Sequence, residues 1–175
     1  MKEDKKAMIT KQISVLLSKQ NSLFSKTVYW ISGRKYTHAS IRLEGMGTSF
    51  FSFNFKGLCE ERPKLFSARH TQQCVLYQID VPEDIYKELR GRLQGFLDRR
   101  QFYHYSRLGL VLCLLHIPHK SPGAYICSQF VADLLVRAGI ICLEQDESVC
   151  LPNTLEKALV YGKMPCRAVK NPFFV

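Results

Sequence analysis

The chain has 175 residues, 46% of them hydrophobic and 23% charged, which fits one globular core and excludes disordered, collagen-like and coiled-coil classes. Net charge is 25 − 15 = +10, and the first 35 residues, with eight basic and two acidic side chains, hold +6 of it. The longest apolar run, Leu108 to Ile117, is ten residues and contains His116, short of the ~20 that a membrane-spanning helix needs.

Residues 1–175 are expected to form a single domain, with 1–10 as a basic, flexible N-terminus. Ile13 to Leu17 is a short β-prone run. Leu23, Phe24, Thr27, Val28 and Ile31 fall at helical spacing, and Gly33 follows as a stop signal. A clear alternation comes next: Thr37, Ala39, Ile41 and Leu43 form one face, and Tyr36, His38, Ser40 and Arg42 the other. Gly45 to Thr48 supplies a turn. Phe51, Phe53 and Phe55 then alternate with Phe50, Ser52 and Asn54, completing a predicted β-hairpin. Pairing its apolar faces puts His38 on the side of Ser52 and Asn54. Lys56 to Gln72 reads as a loop.

Cys74 to Val81 is a third strand. Pro82 opens a helix with Glu83 and Asp84 in its first turn, where the macrodipole favours acids, and Ile85, Leu89, Leu93, Phe96 and Leu97 at its periodic positions. The Leu108 to Ile117 run reads as a buried helix or strand, broken by Pro118 and by Ser121-Pro122-Gly123. Cys127, Val131, Leu134 and Ala138 mark the stripe of a further helix that Gly139 ends. Asn153 is the expected cap of a short helix beginning near Pro152, and Met164 to Val175 adds an edge strand. The fold class is α+β, a small antiparallel sheet packed against helices.

Seven cysteines, an odd number with no Cys-x-x-Cys spacing, together with an N-terminus that lacks an apolar signal core, fit reduced thiols and a cytoplasmic location. Cys127 differs from the others in place. It sits at the start of a helix, where unpaired N–H groups and the positive dipole end favour a thiolate and can receive an oxyanion. His38, on a strand, is the best candidate base, ahead of His70, His104, His116 and His119. The hairpin nominates Ser52 or Asn54 to orient its ring.

Tyr36-Thr37-His38-Ala39-Ser40-Ile41, then Ser52-Phe53-Asn54, then Tyr125-Ile126-Cys127-Ser128-Gln129-Phe130-Val131 resemble the circularly permuted branch of the papain-like NlpC-type superfamily. That branch includes YiiX-like bacterial proteins and lecithin-retinol acyltransferase. The His-before-Cys order is the permutation. The resemblance implies a permuted papain-like fold with Cys127 as nucleophile, His38 as base and Ser52, in preference to Asn54, as the orienting group. Tyr125, Tyr105 and Asn54 would line the substrate pocket.

The activity so implied is a thiol hydrolase of the peptidase or amidase type, acting on a peptide, amide or ester without metal or organic cofactor. A cysteine acyltransferase on lipid or amine substrates, or a non-catalytic shell that binds a peptide or anionic ligand, is the alternative. Nucleic acid as partner would rest on charge alone, since no recognition motif accompanies it. The basic N-terminus has a weak attraction to anionic surfaces as its expected role.

Overall fold

Runs of β-branched and aromatic residues with period two need a second layer to cover one face, and here a helical layer supplies it. The computed structural model describes residues 10–19, 35–62 and 74–170. The basic N-terminus, the helix expected over Leu23 to Ile31, His70 and the end of the tail after Lys170 lie outside the described residues.

The strands are β1 (Thr10–Ser18), β2 (His38–Leu43), β3 (Phe50–Asn54), β4 (Gly57–Glu61), β5 (Cys74–Pro82) and a terminal β8 (Cys166–Lys170). They form one six-stranded antiparallel sheet in the order β4-β3-β2-β1-β5-β8. Two short strands, β6 (His104–Tyr105) and β7 (Ala124–Tyr125), pair in parallel beside it. The described helices are α1 (Glu83–Asp98), α2 (Arg107–Leu114), α3 (Cys127–Arg137) and α4 (Pro152–Val160). None is long and apolar enough to cross a membrane.

The alternation around His38 sends Ala39, Ile41 and Leu43 into the main core. There they meet Phe51 and Phe53 of β3 and Phe130, Val131 and Leu134 of α3. The opposite sheet face is buried as well, around Leu16, Phe50 and Leu76, so the serines between them are core residues. Helix α3 is deeply enclosed: every residue from Cys127 to Leu135 is buried. Gly139, at φ +70°, ends that helical stretch in the left-handed conformation that glycine adopts without steric cost.

Four expectations change. Strand β3 stops at Asn54, so Phe55 leaves the sheet and rests half-exposed against the Tyr105 ring. The stretch read as a loop begins with a strand, β4, entered through Gly57 at φ +95°. A side chain at Gly57 is doubly excluded, because a Cβ there would sit 2.7 Å from the Tyr103 carbonyl oxygen. The ten-residue apolar run is a helix buried on one side only, through Gly109, Leu110 and Cys113. Asn153 is not a cap either. Leu151 takes that position with Pro152 behind it, and Asn153 Oδ1 instead accepts the Tyr36 N–H at 3.3 Å, tethering the chain two residues before His38.

Candidate active site

Cys127 is the first residue of α3, with Ile126 extended at the cap position. Gln129 Oε1 reaches back to accept the Ile126 N–H at 3.4 Å, half of a capping box. The β6–β7 pair holds the entry to this turn, since Ser106 N–H donates to the Tyr125 carbonyl at 3.0 Å. Helix α3 packs on β2 and β3, and this brings the buried Cys127 thiol against the start of β2. There the His38 ring and the N–H groups of Ala39 and Ser128 lie close enough to favour a charged sulfur.

The other side of the ring meets a carboxylate. His38 Nε2 lies 2.8 Å from Glu61 Oε1, with the two side chains only 6% and 14% exposed. Glu61 ends β4, and in the β3–β4 register it stands opposite Phe50. Cys59, two residues earlier and opposite Ser52, directs its S–H toward the Ser52 carbonyl at 3.4 Å and Glu61 Oε1 at 3.9 Å. Glu61 thus occupies the orienting position assigned from the sequence to Ser52.

The electrostatics follow from this sandwich. Burial alone would strip the charge from His38 and is the largest single influence on it. The Glu61 carboxylate and the Cys127 sulfur together overcome burial and raise the imidazole from 6.5 to about 10. Burial likewise opposes a Cys127 thiolate. The His38 ring and the N–H groups of Ala39 and Ser128 outweigh it, so the thiol falls below its ordinary 9.0. Other thiols move the opposite way: burial, then Glu61 and Cys127, push Cys59 up to about 12, and burial raises Cys74, Cys150 and Cys166. The arrangement sets the imidazole between Glu61 and a thiol whose charged form the ring favours.

The remaining sequence candidates fall elsewhere. Ser52 is fully buried but donates its hydroxyl to the Ala39 carbonyl at 2.6 Å, so it braces β2 against β3 and does not orient the ring. Asn54 Oδ1 accepts the Lys56 N–H at 2.9 Å and closes the β3–β4 turn. The Tyr125 ring belongs to an aromatic cluster with Phe53, Phe96 and Tyr103, at centroid distances of 5.4, 5.3 and 6.0 Å. Tyr105 stands opposite Tyr125 in the β6–β7 pair, two residues before Cys127, and burial keeps its hydroxyl protonated. His104 and His116 are exposed, and His119 Nε2 pairs with Ser121 Oγ at 2.9 Å. Among the described residues, no three His, Cys, Asp or Glu side chains converge as a metal-binding set.

Ser52→Ala separates bracing from orienting. It leaves the buried Ala39 carbonyl without its hydroxyl donor, so chemical denaturation should register a loss of about 1–3 kcal/mol. The pH profile of Cys127 alkylation should stay where it is, whereas loss of a ring-orienting group would move it.

Comparison with family models, curated proteins and solved structures finds no match to this chain.

Proposed function

We propose that this protein is a cysteine hydrolase of the peptidase or amidase type, with a permuted papain-like fold and an acyl-enzyme mechanism. The single observation that carries the reading is the buried His38 ring, 2.8 Å from Glu61 and set against the Cys127 thiol at the head of α3. The placement of His38 on the sheet and Cys127 at the head of a buried helix, in that chain order, supports the permuted fold.

In the proposed cycle the Cys127 thiolate attacks the carbonyl carbon of an amide or ester. The carbonyl electron pair moves onto oxygen, to which the Cys127 N–H at the helix start donates a hydrogen bond. Collapse of that intermediate breaks the bond to the amine or alcohol, which leaves with the proton of the His38 imidazolium. His38, now neutral, takes a proton from water, and the hydroxide formed cleaves the thioester. An amine or alcohol in the place of that water turns the same cycle into acyl transfer. Glu61 holds the ring in place and stabilises its charge.

An activated ester such as p-nitrophenyl acetate tests the reading without knowledge of the natural substrate. The expected result is a burst of p-nitrophenol stoichiometric with the chain, and an acetyl group found by mass spectrometry on Cys127. A chain that takes up no acetyl at Cys127 is a binding shell, and the hydrolase reading is then withdrawn.

A further inference from the structure

The second helix has the wrong face outward for a protein that ends at its own surface. Leu108, Val111 and Leu115, spaced i, i+3 and i+7, stand on one ridge, and Ile117 follows; all four are between 49% and 63% exposed. The opposite side of α2 is seated normally, with Leu110 and Cys113 packed on Ile126 and Leu151. At the N-terminal end the ridge continues into Phe55, itself 48% exposed, whose ring lies 4.9 Å from Tyr105 and 5.9 Å from the Arg107 guanidinium. A large apolar patch on this scale marks an interaction surface.

The charge around the ridge identifies what it meets. From Arg99 to Ala132 the chain has no acidic residue and carries Arg99, Arg100, Arg107 and Lys120 along with three histidines. Lys120 is engaged by Asp146 at 2.9 Å and Glu147 at 2.7 Å. Arg107 and the neighbouring Lys56 are exposed at the other end of the ridge. A second copy of the chain fits poorly, because a two-fold contact would set these cations against their own images on a protein already at +10. With about half or more of each of the four side chains open to solvent, the ridge suits a soft apolar layer under negative headgroups.

We propose that the α2 ridge docks this protein on an anionic lipid surface, with Leu108, Val111, Leu115 and Ile117 entering the headgroup boundary and Arg107 and Lys56 facing the lipid phosphates. The ridge continues through Phe55 to Tyr105, which pairs with Tyr125 two residues before Cys127, so the candidate active site lies toward that surface. The docking does not depend on the chemistry proposed for Cys127.

The test is sedimentation of the full chain with phosphatidylcholine vesicles, with and without phosphatidylserine, beside the Leu108→Glu/Leu115→Glu double variant. Both substituted side chains point to solvent, and thermal melting checks that the fold survives. The chain should bind the phosphatidylserine vesicles and not the neutral ones, and the double variant should bind at least about tenfold more weakly. Absence of binding to anionic vesicles overturns the proposal. Equal binding by the parent and the double variant also overturns it, assigning the affinity to the basic N-terminal residues. Light scattering on the same samples gives the remaining outcome: a dimer that the double variant dissolves assigns the ridge to a second copy.

Discussion

Cys127→Ala is expected to abolish the proposed turnover and to leave the fold standing. The substitution deletes one sulfur from a site whose stability rests on the packing of Phe130, Val131 and Leu134, so thermal melting should change little while the rate falls by at least about 10⁴-fold. Cys113→Ala should do the reverse. Cys113 is fully buried between α2 and its neighbours, and its loss is expected to cost on the order of 1 kcal/mol while activity per folded molecule survives. Measuring ester hydrolysis and thermal unfolding on the same two preparations separates the thiol that reacts from a thiol that packs.

Glu61 is expected to give the second-largest effect, and with it a signature in pH. Glu61→Gln keeps the size and a polar end but removes the negative charge beside Nε2. Turnover should fall by about 10²- to 10⁴-fold, the range for losing the group that orients a catalytic imidazole. The sign of the pH effect follows from the shifts. In the parent, His38 keeps its proton up to about 10, so turnover that needs the imidazolium as acid declines only above that pH. Removing the carboxylate takes away the largest of the effects raising His38, so the alkaline limb moves to lower pH. The acid limb reports Cys127, which must lose its proton to attack; a less stable imidazolium supports the thiolate less, so that limb moves up. The window should narrow from both sides. A Glu61→Gln enzyme with an unchanged profile would leave the carboxylate with a packing role only.

The sequence made the α+β sheet legible because its central strands alternate strictly, as in Thr37 to Leu43. The stop of α3 at Gly139 was legible for the same kind of local reason. The orienting carboxylate was not. Glu60-Glu61, with Arg62 beside it, has the composition of a solvated loop, and a carboxylate is rarely buried without a partner. Glu61 is nearly enclosed because His38, 23 positions earlier, supplies that partner, a pairing with no local trace. The one available signal was Asn54 followed three residues later by Gly57, a turn that returns the chain as β4 and sets Cys59 and Glu61 on one face. Ser52 attracted the assignment because it follows His38 on the neighbouring strand. Its hydroxyl goes instead to the buried carbonyl of Ala39. The apolar run at Leu108 misled in the other direction, since burial was assumed for a helix that buries only one side.

Site-resolved alkylation across pH 5 to 11, read by mass spectrometry on the parent and on His38→Ala, tests the central claim most directly. The coupled pair predicts that Cys127 reacts far faster than Cys59 or Cys150 at neutral pH, with a midpoint below the ordinary thiol value of 9.0. It also predicts that losing His38 drives that midpoint upward, because burial then opposes the thiolate with only the two backbone N–H groups against it. A Cys127 that labels no faster than the other cysteines, with a midpoint indifferent to His38, would contradict the account.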